Sequence, residues 1–324
     1  MTAAGFAALS AIFEEAPPRF DARLVQPEAL ASILLFLLVY FASDGLRLYF
    51  VLRAVGERVK IRDIFPLVFI NILFSNVTPL ATGGGFAQVW YLQRHGVPVG
   101  ASAAATTIRT ILAMLAIFTV SPLFQLLHPD ASSGGIARIT IQSLSGVIVL
   151  YLVGFILVLR RPFWIAALVE KFLGSASRFG LIDKERQEQW SAAVRRETAE
   201  FADGFARFVR GSRRAAAAAV ISTLVFLLTL FAFPALLLEL LHYDVDWLTV
   251  IGTLSVVTFL MYFAPTPGGA GFAELAFAGL MAGHMASSDL LLVVFFWRFL
   301  TIYLGMAIGI VVSILVLRPG AKTG

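Results

Sequence analysis

Five long apolar runs constrain this chain more than any other feature of its sequence. Each is at least as long as the helix of about 20 residues that is needed to cross a hydrocarbon core of about 30 Å. In lipid every backbone polar group needs an internal partner, so such runs form helices unless they alternate like barrel strands, which these do not. The sequence therefore predicts an all-α polytopic membrane protein with spans at residues 29–52, 99–127, 139–159, 215–241 and 290–317.

The composition supports this class and argues against several functions. Of the 324 residues, 59% are hydrophobic and 14% are charged, about half the charged share of a soluble domain. The chain has no cysteine, which excludes disulfides and thiol chemistry. Its four histidines are dispersed near predicted helix ends, and it has neither a zinc-binding HExxH pair nor a serine nucleophile motif. We therefore expect no metal, no cofactor and no enzymatic activity.

Basic residues are concentrated in three regions that we expect to face the cytoplasm. Residues 53–62, 160–214 and 318–324 hold 18 of the 25 lysines and arginines, as the positive-inside rule requires of cytoplasmic loops. This distribution explains the net charge of +5 without nucleic acid as a partner. Residues 1–28 carry acids and prolines and are predicted to lie outside the membrane or on its surface. We expect a multi-pass protein of a prokaryotic plasma (inner) membrane.

Two stretches rich in proline and glycine interrupt the apolar pattern. They read NVTPLATGGGFAQ at residues 76–88 and YFAPTPGGAGFAE at residues 262–274. Proline lacks a backbone donor and glycine holds helical dihedrals poorly, so we expect helix breaks at 79–85 and 265–271. The apolar arms beside each break are too short to span the bilayer. The sequence therefore predicts two re-entrant broken-helix hairpins, near residues 64–95 and 248–283.

The two hairpins enter from opposite faces and are followed by similar helices. Arg109 lies 21 residues after Gln88, and Arg298 lies 24 residues after Glu274, each arginine within a predicted span. This arrangement indicates an inverted-topology repeat, in which half-helices meet near the midplane; chance similarity is the alternative. We divide the chain into an N-terminal segment 1–28, a first repeat 29–159, a cytoplasmic amphipathic linker 160–214 and a second repeat 215–324.

The predicted site is suited to an anion. Interrupted helices direct unpaired N–H groups and the positive ends of their dipoles at the cavity, and a guanidinium matches phosphate oxygens. Glu274 is a candidate ion-pair partner for Arg298 or Arg109; a purely structural salt bridge is the competing interpretation, and an unpaired Glu274 would be a candidate for proton coupling. The predicted substrate-binding residues are Asn76, Thr78, Pro79, Gly83, Gly84, Gly85, Gln88, Arg109, Thr266, Pro267, Gly268, Gly269, Gly271, Glu274, Arg298 and Tyr303.

Two further features leave alternatives open. Asp44 and Arg47 lie three apart on one face of the first span and can form a supporting ion pair; alternatively, Arg47 reaches the interface and Asp44 only neutralises it. Within residues 160–214, aromatic residues recur at helical spacing among arginines. This pattern predicts an amphipathic helix that lies on the cytoplasmic leaflet or packs on the base of the protein itself.

These motifs resemble a flippase-like membrane family that includes the transmembrane region of lysylphosphatidylglycerol synthase. The resemblance rests on the first break with Tyr91-Leu92 and Gly96-Val97 after it, and on PTPGGAG at 265–271 with Glu274, Trp297-Arg298 and Tyr303. It covers nearly all of residues 29–317. It implies movement of a lipid with a charged headgroup between leaflets, or handling of a related polyisoprenoid or aminoacylated lipid.

Three departures from the family pattern qualify this expectation. No soluble domain follows residue 317, so the aminoacyl transfer of full-length synthases is not expected. Phe86 stands where many relatives place a Glu, which weakens any acid chemistry at the first break. Many relatives also begin with an additional spanning helix, for which residues 1–28 are too polar.

The leading functional hypothesis is a lipid translocase, and the alternative is a secondary transporter of a small water-soluble anion, proton-coupled or not. In the first, Asn76, Gln88 and Thr266 bind the headgroup. Arg109 and Arg298 hold its phosphate, and Glu274 binds an amine or a proton. The expected partners are membrane lipids, with anionic or aminoacylated phospholipids first; a second copy of the chain and a separate lipid-modifying enzyme are further candidates.

Overall fold

The protein is a bundle of helices, described here from a computed structural model. The structure describes residues 21–78, 82–127, 183–261, 264, 266–281 and 286–317, together with the isolated positions 167, 171 and 175. All regular elements in this part of the chain are helical. They are α1 (Pro27–Val55), α2 (Ile61–Val77), α3 (Thr82–Arg94), α4 (Val99–Leu127), α5 (Lys184–Arg210), α6 (Arg213–Leu240), α7 (Trp247–Met261), α8 (Phe272–Met281), α9 (Ser287–Arg298) and α10 (Leu304–Leu317).

Four helices in the described ranges are long and apolar enough to cross a membrane. They are Pro27–Val55, Val99–Phe124, Arg213–Leu240 and Ser288–Val316, the last formed by α9 and α10 joined through the π-helical turn Phe299–Tyr303. Four of the five predicted spans are thus confirmed as apolar helices of sufficient length. The fifth, at residues 139–159, lies outside the described residues. The four observed helices support the predicted class of an all-α membrane protein.

Each predicted hairpin consists of two short helices packed against each other. The first pairs α2 with α3, and the second pairs α7 with α8. Their 17, 13, 15 and 10 residues correspond to about 15–26 Å, less than the hydrocarbon thickness of about 30 Å. Short length is what a re-entrant arm requires. The re-entrant path of both hairpins, the sides from which they enter and the inverted repeat stay predictions.

The expected limits of the first break, 79–85, are wrong at their C-terminal end. Gly83, Gly84 and Gly85 lie in the first turn of α3, which begins at Thr82. The reason is close packing: a Cβ at Gly84 would collide with Ser75 Oγ and approach Asn71 Oδ1 to 2.6 Å. Glycine here allows two helices to approach each other and does not break either one.

Small residues also bring the last helix against the first hairpin. Gly305 and Gly309, four apart on one face of α10, lie against α2; a Cβ at Gly309 would collide with the Phe69 carbonyl oxygen. This is the close approach that small residues permit between membrane helices. Because α10 continues α9 through the π-helical turn, the helix that carries Arg298 is held beside the first break.

The amphipathic helix α5 packs on the base of the protein. It lies against α4 and α1, where a Cβ at Gly204 would come within 2.7 Å of Ala104 Cβ. The Gly100 amide donates a hydrogen bond of 2.8 Å to Glu197 Oε2. These contacts support the second of the two alternatives that the sequence left open for this helix.

Candidate functional site

The second break is formed by glycines in a left-handed conformation. Gly268, Gly269 and Gly271 have φ angles of 59°, 63° and 82°, which residues with a Cβ rarely adopt. A short 3-10 turn, Pro267–Gly269, lies between α7 and α8. This conformation leaves the Gly268 carbonyl to accept a hydrogen bond of 3.0 Å from Arg298 Nη2. The prediction of a glycine-driven break is correct here.

Glu274 and Arg298 form a buried ion pair directly after this break. Arg298 Nε donates to Glu274 Oε1 at 2.9 Å, and the two residues are only 3% and 2% exposed. Glu274 lies in the first turn of α8, and Arg298 ends α9. The Arg298 guanidinium therefore binds both the Glu274 carboxylate and the Gly268 carbonyl. It links the second break and the start of α8 to the end of α9.

A second buried cluster joins three charged residues from α1 and α4. Asp44 Oδ1 lies 2.6 Å from Arg47 Nη2 and 2.6 Å from Arg109 Nη2. The expected pair of Asp44 and Arg47 therefore forms. Both residues are buried, so Arg47 does not extend to the interface; its guanidinium lies 3.9 Å from the centre of the Phe226 ring. The Asp44 carboxylate therefore contacts both guanidiniums.

The partner of Arg109 differs from the one that the sequence suggested. Glu274 was a candidate for Arg298 or Arg109; it pairs with Arg298, and Arg109 pairs with Asp44. Asp44 and Arg109 are 65 residues apart, so no local spacing indicated their contact. Tyr40, four residues before Asp44 on α1, is also buried. Tyr40 carried no signal in the sequence beyond its place in an apolar run.

The two breaks touch each other. Asn76 near the end of α2 lies against Gly268, where a Cβ would collide with its side-chain oxygen Oδ1. The Asn76 Nδ2 atom is held by a hydrogen bond of 2.8 Å to the Ile72 carbonyl. A residue predicted at the first break thus contacts the second break, 192 residues away in sequence.

Thr78 closes the first hairpin. Its hydroxyl donates to the Phe74 carbonyl at 2.7 Å and accepts a hydrogen bond of 2.8 Å from the Gly83 amide. Thr78 is the C-cap residue of α2, and its side chain also satisfies one of the amides at the start of α3 that lack a partner within the helix. Pro79 lies outside the described residues, so its predicted part in the site stays a prediction.

Several predicted residues keep buried polar atoms that have no hydrogen-bond partner in the described part of the chain. A buried polar atom without a partner costs about 1–3 kcal/mol, so such atoms are potential contacts for a ligand or for water. These atoms are Gln88 Nε2, Arg109 Nε, Thr266 Oγ1 and Glu274 Oε2.

The remaining predicted residues are placed as follows. Gly269 packs near Met261, and Tyr303 ends the π-helical turn after Arg298. A Cβ added at Gly85 would meet no atom of the described residues within 4 Å. Within the described ranges no three acidic or histidine side chains come together as metal ligands. The polar atoms available to a ligand are therefore guanidinium, carboxylate, amide and hydroxyl groups.

Fold and composition define the class, an integral membrane protein of interrupted apolar helices with buried ion pairs. The chain belongs to the family described as the lysylphosphatidylglycerol synthase TM region, whose model matches residues 2–309. It is also similar to a UPF0104 membrane protein of Archaeoglobus fulgidus, with 25% identity over 268 residues that cover 82% of this chain and 79% of the relative. These matches confirm the family resemblance expected from the motifs.

Proposed function

We propose that this protein is a lipid translocase that moves a phospholipid or polyisoprenoid lipid with a charged headgroup between leaflets and makes no covalent change to it. One observation carries the proposal. Where Asn76 meets Gly268, the buried pair of Glu274 and Arg298 retains a carboxylate oxygen, Oε2, without a partner among the described residues. Because a buried carboxylate oxygen is costly when unpaired, we infer that a headgroup amine or a proton binds it.

The arginine of this pair supplies the contact for phosphate. In the structure Arg298 binds Glu274 and the Gly268 carbonyl. A phosphate diester offers the same paired oxygens as a carboxylate, and the guanidinium fork fits both. We infer that the phosphate displaces Glu274 from Arg298, which frees the carboxylate to bind the amine of the same headgroup. The family name supports such a substrate, because lysylphosphatidylglycerol carries both groups.

The Asp44 cluster supplies a second positive contact. Asp44 contacts Arg109 as well as Arg47, and Arg109 Nε has no partner in the described part of the chain. A buried guanidinium nitrogen without a partner is costly unless an anion or water reaches it. In the proposed mechanism one headgroup interacts with both clusters while its acyl chains stay in the bilayer.

The decisive experiment measures leaflet exchange of fluorescent phospholipids in proteoliposomes. We expect Arg298→Ala to slow exchange at least about tenfold, because a charge-assisted contact of this kind is worth about 1.5–3 kcal/mol. Arg62→Ala is the matched control, since Arg62 has a side chain 64% exposed near the start of α2. It should exchange lipid at the wild-type rate.

A paired variant separates transport from folding. Removing only Arg298 leaves Glu274 as an uncompensated buried charge, which destabilises by about 3–5 kcal/mol. Glu274→Gln combined with Arg298→Met removes both charges and largely conserves volume, so it should fold and still fail to exchange lipid. Wild-type exchange by a folded paired variant would remove this ion pair from the mechanism.

A proton-coupled transporter of a small soluble anion is the second candidate. The half-paired Glu274 carboxylate favours it, because a buried carboxyl beside an arginine can exchange a proton with an anion that competes for the guanidinium. An imposed pH gradient in the same liposomes tests this function. Uptake of a soluble phosphate ester without any lipid exchange would support it over the translocase.

A further inference from the structure

A cavity lies at the basic end of the bundle, and none of its lining residues belongs to the two breaks. It has a volume of about 520 Å³ and is formed where α1 ends and α6 begins. Its lining includes Arg53, Arg58 and Arg214, with Glu57 as the acidic member. Three guanidiniums against one carboxylate make it an attractive site for an anion. We name it the basal pocket.

The guanidiniums of the basal pocket are available to a ligand. Arg53 is oriented by Tyr49, whose hydroxyl oxygen lies 3.1 Å from Arg53 Nε and 2.8 Å from Nη2. Arg58 and Arg214 are exposed, and neither forms an ion pair within the described part of the chain. One arginine is therefore held in place and two are able to close around a bound group.

The start of α6 adds backbone donors on the same side. Ser212 lines the basal pocket and caps this 28-residue helix by accepting a hydrogen bond of 3.3 Å from the Ala215 amide. Other amides of the first turn have no partner within the helix, and the helix dipole favours negative charge at this end. The backbone therefore adds to the positive potential that the arginine side chains create.

The surface beyond the basal pocket points to a lipid as the bearer of the anion. On α6, Ile221, Leu224 and Leu228 are 61%, 48% and 57% exposed, and they begin six residues after Ala215 at the rim. That separation is about 9 Å along the helix. A headgroup in the basal pocket would therefore have an apolar, bilayer-facing strip beside it for its acyl chains.

We propose that the basal pocket binds a phosphate group, carried by an anionic phospholipid or by a soluble phosphate ester, at a site separate from the proposed translocation site. The guanidinium fork of Arg53 and the point contacts of Arg58 and Arg214 suit phosphate oxygens. Glu57 opposes binding while it is ionised. Burial raises the pKa of Glu57, Arg207 of α5 opposes this rise and Glu200 adds to it.

The test measures ligand binding to purified wild-type protein in detergent by native mass spectrometry. The probes are phosphatidylglycerol, zwitterionic phosphatidylcholine and glycerol 3-phosphate. The pocket variant replaces Arg53, Arg58 and Arg214 with Gln. The matched control replaces Lys60, Arg186 and Arg210 with Gln, three exposed cations that do not line the pocket. Both variants lose the same charge, and thermal unfolding verifies that both fold.

We expect the pocket variant to bind phosphatidylglycerol at least about tenfold more weakly than the control variant does. Glu57→Gln should bind it more tightly than wild type, because a repulsive carboxylate is removed. Binding of glycerol 3-phosphate with the same dependence on the three arginines, and no preference for phosphatidylglycerol, would assign the pocket to a soluble ester. Equal losses in the pocket and control variants, or weaker binding by Glu57→Gln, would overturn the proposal.

The outcome is independent of lipid exchange. The basal pocket shares no residue with the Glu274 and Arg298 pair, so a pocket variant that still exchanges lipid leaves both proposals standing. Both proposals would also stand if a variant of the Glu274 and Arg298 pair lost lipid exchange but bound phosphatidylglycerol as wild type does.

Discussion

Two glycine clusters with similar sequences have different structural roles in this protein. At the first break Gly83, Gly84 and Gly85 are helical, and two of them allow α3 to pack closely against α2. At the second break Gly268 and Gly271 have positive φ angles and redirect the chain. At the first break, close helix packing requires residues without a Cβ. At the second break, the turn requires residues that can adopt positive φ angles.

The difference shows why a sequence repeat does not fix the function of each residue within it. A hydroxyl from Thr78 closes the first hairpin, so its glycines are not needed to end a helix. The second hairpin has a glycine turn whose carbonyl binds Arg298. Substitution by alanine separates the two roles, since alanine adds a Cβ and still favours helix.

The largest effect is expected for Gly268→Ala. Its φ of 59° imposes left-handed strain of about 1–2 kcal/mol, and its Cβ would collide with Asn76. We expect a loss of about 3 kcal/mol or more in unfolding free energy, measured by thermal or denaturant unfolding in detergent. Adding Asn76→Ala should remove the collision and keep the strain, so rescue should be partial. Full rescue would show that the backbone conformation at this break is unimportant.

An intermediate effect is expected for Gly84→Ala. This position is helical, so the cost comes from contacts: the Ser75 and Asn71 side chains can move, and the Asn71 carbonyl oxygen, 3.1 Å from an added Cβ, has to shift by a few tenths of an ångström. We expect a loss of about 1–2 kcal/mol in the same unfolding assay. Ser75→Ala should restore most of it by removing the nearest atom. A variant that Ser75→Ala does not help would indicate a conformational role like that of Gly268.

The smallest effect is expected for Gly85→Ala, with the opposite sign. A Cβ at this position would meet no described atom within 4 Å, and its conformation is helical. Alanine should leave stability unchanged or raise it by up to about 1 kcal/mol, because it loses less entropy on folding. A clear loss of stability would contradict the assignment of this residue to the helix and return it to the break.

Much of the fold could be predicted from local sequence. The apolar runs set four spanning helices within about three residues of their observed bounds, because burial in lipid and run length decide them. The second break and the i,i+3 contact of Asp44 with Arg47 also depend on neighbouring residues only. Such features depend on dihedral preferences and helical spacing, which the sequence displays directly.

The features that the sequence did not show depend on contacts between distant segments. The pairing of Arg109 with Asp44 needs α1 and α4 to be adjacent, and the helical state of Gly84 needs the α2 surface. The packing of α5 against α4 was also not predictable, because an amphipathic composition suits a lipid surface and a protein surface equally. Isolated charged residues within the apolar runs were the available signal for the ion pairs, but they did not specify the partners.

The hydroxyl of Thr78 has a mechanical consequence. Because the Thr78 oxygen that donates to the last turn of α2 also accepts from the Gly83 amide of α3, α3 cannot swing away from the end of α2 without loss of the Gly83 hydrogen bond. We therefore expect the first hairpin to resist bending, so that bending during a conformational cycle falls on the left-handed glycine turn that it touches through Asn76.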